Sequence, residues 1–334
     1  MKPLYRNIFL LFGIVAIIVM LCTFDVDYGQ LRDKLPRAVM FLPFVIGVWV
    51  FVYAFNAAAF QIIVNSGKHD KHLSFRHAYK LTVSGFAFSY TTPFGFGGGP
   101  YRVMELAAHI GTNRAMSAVV LYSMMHILSH ICLWVSAAVL FVIVYTSKMD
   151  AFLWTCAGIF AAVLVFALYF FYSGYKNGLI VKLYRLLFFI PWVNRYARRF
   201  YDKNAENMAQ IDRNIAYLHE QPRAFYSSLF LEYLARVVNA LEFYFILWAF
   251  GAPVTFVDAI LVLAFSSLMG NILFFFPMQM GAREGGLALI IKILGYPNGL
   301  GLGVFSSFFT RIRELVWIFI GVSLVKVGNK KIMK

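Results

Sequence analysis

The sequence predicts an all-α polytopic membrane protein of about six full spans and two re-entrant helical hairpins, the hairpins set as an inverted repeat. Three observations carry that prediction. The 334 residues are 61% hydrophobic and only 13% charged, against about 25% charged in an ordinary soluble domain. Apolar runs of about 20 residues, the length that crosses a bilayer, recur along the chain. Two glycine-rich breaks interrupt them, Thr92–Glu105 and Phe276–Gly286, each joining a proline and glycines to an Arg and a Glu.

The spans follow in order as 7–24, 38–64, 115–146, 151–174, 224–250 and 302–326. The first has the basic start and apolar run of a secretion signal. Asp25-Val26-Asp27-Tyr28 follows it instead of a small-residue cleavage site, so an uncleaved span is expected. Residues 81–93 are too short to cross about 30 Å at 1.5 Å per residue. They run into Gly97-Gly98-Gly99, and a second short helix continues to Ile110. Residues 256–276 and 282–295 repeat the plan around Pro277 and Gly281. The chain thus reads as one integral membrane domain, 1–334, with hairpins at 81–110 and 256–295. Segment 174–223 is expected to be a cytoplasmic or interfacial helical connector.

Charge sets the orientation. Lys2 and Arg6, Lys68, Lys71, Arg76 and Lys80, nine Lys/Arg against four Asp/Glu in 174–223, and Lys330, Lys331 and Lys334 all fall on one side of this topology. By the positive-inside rule that side is the cytoplasm, which places both termini there and suits an inner (cytoplasmic) membrane. The hairpins then enter from opposite faces. The net charge of +15 is accounted for by these loops beside anionic lipid, and no nucleic-acid partner is expected. Cys22, Cys132 and Cys156 lie in apolar stretches without metal or disulfide spacing.

The breaks carry the chemistry. Irregular backbone at membrane depth is tolerated only where protein buries it or it lines a cavity, and a matching pair of breaks points to a transporter's substrate site. In the first, Gly97, Gly98 and Gly99 let backbone amides turn toward a ligand, and Pro100 suits the opening turn of a helix. The exposed helix start attracts anions. Arg102 could grip a phosphate with two donors, and Glu105, one turn on, could neutralise it in the absence of ligand. The second break repeats the pattern with Gly281, Arg283 and Glu284. Arg311, Arg313 and Glu314 in the last span reach the same level and complete the candidate substrate site.

Glu232 and Arg236 are spaced for an ion pair that either holds the bundle together or serves function; Glu242 lies in the same span. His126 and His130, also four apart, suit hydrogen bonds between helices, since no local carboxylate completes a metal site. No metal or cofactor is expected, and no triad, Walker or dinucleotide motif is present.

Thr92-Pro93-Phe94-Gly95-Phe96-Gly97-Gly98-Gly99-Pro100 and Pro277-Met278-Gln279-Met280-Gly281-Ala282-Arg283-Glu284 resemble the two signature segments of the lysylphosphatidylglycerol synthase transmembrane family. This flippase-like membrane domain occurs alone or fused to an aminoacyl-lipid synthase. The resemblance covers nearly the whole chain and implies lipid translocation, with Arg102, Glu105, Arg283 and Glu284 as motif positions. The synthase domain of the fused members is not among these residues, so lipid aminoacylation does not follow. Some stand-alone members are linked to glycan assembly on lipid carriers. The implied ligand is therefore an anionic lipid or a lipid-linked glycan, and the implied protein partners are a lipid-modifying synthase or a second copy in a homodimer.

Three functions fit these residues. A flippase would hold the headgroup phosphate between the half-helix ends, with Glu105 and Glu314 either coupling protons or releasing ligand. A membrane-embedded transferase on a polyprenyl-phosphate or phospholipid would use a Glu as general base. A scaffold recruiting synthases through 174–223 would tolerate loss of the intramembrane arginines.

Overall fold

The computed structural model describes residues 28–66, 71–92, 97–177, 221–272 and 282–326, with isolated positions between 188 and 213. The expected span 7–24, the break residues 93–96 and 273–281 (Gly281 among them), most of the connector and the C-terminal tail lie outside the described residues. Those described form helices and, among them, no strand: α1 (Tyr28–Asn65), α2 (Phe75–Thr91), α3 (Gly98–Ile110), α4 (Thr112–Val144), α5 (Ala151–Asn177), α6 (Pro222–Ala249), α7 (Phe256–Ile272), α8 (Ala282–Leu294) and α9 (Gly299–Lys326).

The helices match the expected segments with shifted ends. Two differences have a local cause. The stretch between the expected spans 7–24 and 38–64 is helical from Tyr28, because Leu31, Arg32, Lys34 and Leu35 are good helix formers. The first short helix starts at Phe75, six residues before its expected place, behind Ser74 in extended conformation. α1 and α4 are long and apolar enough to cross a membrane. α6 and α9, 28 residues each, reach about 42 Å but carry the charges that make their hydropathy less plain. Glu232, Arg236, Glu242, Arg313 and Glu314 are all buried, so those charges face protein. The outward surface is apolar, as on α5, where Val163, Phe166 and Tyr169 stand exposed.

The first four of these helices and the last four correspond. α2 and α7 have 17 residues each, and α3 and α8 have 13 each. α1 packs along α6; α2 packs on α9 as α7 packs on α4; α3 packs on α4 as α8 packs on α9. Exchanging the two sets leaves these pairings unchanged, with α5 outside the scheme. The α1–α6 pair is antiparallel. Phe41 meets Trp248 and Phe44 meets Phe245, with ring centroids 5.3 and 5.9 Å apart, while at the far end the Gln221 amide donates to the Ser66 carbonyl at 3.3 Å. Each set has its own apolar core: Phe60, Leu81, Leu106 and Met125 in one, Phe243, Val262, Leu287 and Phe309 in the other.

In lipid, helices associate through close packing more than through burial of apolar surface, which favours small residues at crossings. Gly303 is the tightest such point: a Cβ there would lie 2.2 Å from the Ala288 amide nitrogen. Backbone blocks the space and no side chain can swing aside. Gly303→Val is therefore expected to part α8 from α9 and lower the thermal midpoint in detergent, at a cost above the about 1–3 kcal/mol of ordinary overpacking. Gly47→Val, which meets nothing within 4 Å, is the matched control and should leave the midpoint unchanged.

Candidate functional site

The short helix α8 opens with the charged residues of the second break. Arg283 donates from Nη1 to Glu314 Oε1 at 2.5 Å. Glu284 accepts from Ser307 Oγ at 2.7 Å and from Arg311 Nη2 at 2.9 Å. Two residues further along α9, Arg313 grips Glu242 of α6 with Nε and Nη2 at 3.0 and 3.2 Å. Its guanidinium lies 3.8 Å from the centre of the Trp49 ring, and Trp49 Nε1 donates to the same carboxylate at 2.7 Å. Tyr90, at the end of α2, donates to Glu314. Spacing explains the gathering: Ser307, Arg311 and Glu314 recur at three and four residues on one face of α9. Three arginines thus meet three glutamates, and formal charge cancels.

The first break has different surroundings. α3 begins at Gly98 without a side-chain cap, and the Gly97 N–H is taken by Thr92 Oγ1 at 2.7 Å. Gly98 fits because a Cβ would fall 2.3 Å from the Gly85 carbonyl oxygen; Gly99 has room. Arg102 lies between aromatic rings, its Cζ 5.1 Å from the centre of Tyr122 and 5.9 Å from that of Phe60. Nη2 reaches the Thr82 carbonyl at 3.4 Å, and the buried Nε has no hydrogen-bond partner. Among the described residues no carboxylate comes within ion-pair distance of Arg102.

Beyond Tyr122 lies a third group. His126 Nδ1 is 2.8 Å from Glu232 Oε2, Arg236 Nη2 is 2.8 and 2.7 Å from His126 Nδ1 and Nε2, and Arg236 Nη2 stands 3.7 Å from the Glu232 carboxylate. Glu232 is fully buried, and its Oε1 has no hydrogen-bond partner. Arg236 is the arginine paired with this carboxylate, and Arg102 stands on the Tyr122 ring without an ion-pair partner among the described residues. Among the described residues no group of three metal-type ligands forms.

A family model described as the lysylphosphatidylglycerol synthase TM region matches residues 8–320. The chain belongs to this family. No curated protein and no solved structure matches it. Membership makes it a membrane domain of a lipid-related family, all-helical where described.

In this family member the arginines sort unlike their sequence motifs. Arg102 does not pair with Glu105, although one turn separates them: Arg102 turns to the rings, and Lys80 of α2 is the charged neighbour of Glu105. Arg311 and Arg313 were expected beside one acid, and the fold brings three, because Glu242 and Glu284 arrive from other helices. The structure gathers Arg283, Glu284, Arg311, Arg313 and Glu314 into one network and holds Arg102 and Glu105 outside it. His126, expected to lack a carboxylate, has Glu232. Trp49 and Tyr90 had no signal in one sequence, since each gains its role from a helix far away in the chain. Tyr90→Phe removes the one bond shown from α2 to Glu314. It is expected to lower stability by about 1.5–3 kcal/mol, the range for a hydrogen bond to a charged group, read as a denaturation midpoint in detergent.

Proposed function

We propose that the protein is a lipid translocase that carries an anionic phospholipid or a lipid-linked sugar between leaflets, binding the headgroup phosphate at Arg102 and the uncapped start of α3. One observation carries the reading: Arg102 is a cation at the start of a half-helix without a carboxylate partner among the described residues, while Arg283, Arg311 and Arg313 are neutralised. A partly buried cation without a counter-charge favours an anion, and Arg chelates phosphate through paired donors.

α2–α3 and α7–α8 are re-entrant hairpins of an inverted repeat in this reading. Their equal lengths, exchangeable pairings and the antiparallel α1–α6 pair support it. Alternating access follows from one repeat rocking against the other. Arg283 and Arg311 then meet the headgroup by exchanging Glu314 and Glu284 for phosphate, whereas Arg313, enclosed by Glu242 and Trp49, holds the bundle. The protein sits in the cytoplasmic membrane with both termini inside, and hands lipid to or from a lipid-modifying synthase.

The test is transbilayer movement of labelled phosphatidylglycerol and of a polyprenyl-phosphate sugar in proteoliposomes of the full chain. Movement of either above empty liposomes is the expected result. No movement, with a new lipid product by mass spectrometry, would replace the translocase by a transferase.

A further inference from the structure

We infer that a polar seam between α1 and α6 takes the hydroxyls of the headgroup whose phosphate binds at Arg102, so that the lipid selected is a phosphodiester bearing a glycerol or a sugar. The inference rests on the translocase reading and adds what the protein selects.

The seam follows from two helical stripes. On α1, Trp49, Tyr53, Asn56 and Phe60 recur at four, three and four residues; on α6, Glu232, Arg236, Asn239 and Glu242 recur at four, three and three. Each set therefore shares one face of its helix. The antiparallel pair is pinned at both ends of these stripes. At one end Trp49 Nε1 donates to Glu242 at 2.7 Å, beside Arg313. At the other the Phe60 ring lies 5.0 Å from that of Tyr122, and Tyr122 is in turn the neighbour of Glu232. Tyr53, Asn56 and Asn239 thus fall between the arginine network and Arg102. They lie along the contact between the two repeats, the surface that rocking parts.

Each of these three side chains is more than nine-tenths buried, and each holds an oxygen without a hydrogen-bond partner: the Tyr53 hydroxyl, Asn56 Oδ1 and Asn239 Oδ1. Buried polar atoms are nearly always paired, and one left open costs stability. Three in one seam point to a ligand that pairs them. A neutral hydroxyl has the right chemistry: it both donates and accepts, so it satisfies a carboxamide in either orientation and a phenol as well. Reach agrees. Asn56 lies one turn of α1 from Phe60, about 6 Å along the axis, and the far hydroxyl of a glycerol headgroup stands about as far from its phosphorus. Asn239 and Tyr53 lie beyond Asn56, within reach of a sugar ring.

The experiment is titration calorimetry into the full chain in detergent with dioctanoyl phosphatidylglycerol and dioctanoyl phosphatidylpropanol. The two lipids share charge and length and differ only in the headgroup hydroxyls. Phosphatidylglycerol is expected to bind tighter by about tenfold or more, since an analogue without hydroxyls leaves the amide unpaired. Equal affinities would overturn the seam and leave the phosphate site standing. Failure of both lipids to bind would overturn the translocase reading itself, and the seam with it. Asn56→Leu is expected to weaken phosphatidylglycerol by about tenfold and leave phosphatidylpropanol unchanged. Because the lost oxygen has no partner within the protein, the thermal midpoint without lipid should hold or rise. A preference that survives in Asn56→Leu, or a midpoint that falls with it, would overturn the assignment to this amide. An isoprenyl-phosphate glucose separates the two sources of hydroxyls. Asn239→Leu weakens that ligand alone if the occupant is a sugar lipid, and weakens phosphatidylglycerol as well if it is a glycerol lipid. No effect on either ligand would overturn the extension of the seam to Asn239.

Discussion

Arg102→Ala is expected to reduce headgroup transbilayer movement in proteoliposomes by about 10- to 100-fold, the worth of one charge-assisted contact to phosphate, with the fold intact. The fold should survive because Arg102 anchors little: one long hydrogen bond to the Thr82 carbonyl and two ring faces, Tyr122 and Phe60. Among the described residues, removing it orphans no carboxylate, and an orphaned carboxylate is the usual cause of collapse when a buried arginine is lost. Arg102→Lys separates charge from geometry, since an ammonium keeps the charge and loses the planar paired donors; an intermediate rate is expected. An unchanged rate in Arg102→Ala, with monodisperse protein of wild-type thermal midpoint, would move the anion site elsewhere. Arg283→Ala is the informative comparison, because its partner Glu314 also holds Tyr90 and lies 3.6 Å from Arg313.

The second large effect is on stability. Arg313→Met is expected to cost about 3–5 kcal/mol, because it strands a buried Glu242 carboxylate. Yield of folded protein in membranes should fall steeply, and the detergent-extracted remainder should unfold early. Trp49 still donates to Glu242 at 2.7 Å, which softens the loss without supplying the missing charge. Replacing both partners, Glu242→Leu with Arg313→Met, removes the stranded charge and is expected to recover most of the stability. A double variant no better than the single one would show that the bidentate geometry itself, or the stacking on Trp49, carries the stabilisation.

These two arginines show what was legible in advance. Both stood out as charges in an apolar chain, and the cost of charge in lipid was enough to mark them. Their division into a cation with no carboxylate partner among the described residues and a locked one was not legible, because it depends on which helix each faces. Arg102 and Glu105 are one turn apart, a spacing that suggests pairing, yet the crossing of α3 with α1 and α4 turns the arginine onto Phe60 and Tyr122. Arg313 meets Glu242 across 71 residues of chain, and no local pattern announces that distance.

The sequence by itself determined the helical class, the family and the approximate extent of the described helices. Length, hydropathy, glycine and proline are local properties, and the helix satisfies its own backbone wherever the chain enters lipid. Only the tertiary structure decided which charges cancel and which do not. That outcome is a sum over groups brought together by packing. It turns on Gly303 letting α8 approach α9, on α1 lying antiparallel to α6, and on Glu232 arriving beside His126 with one oxygen unpartnered.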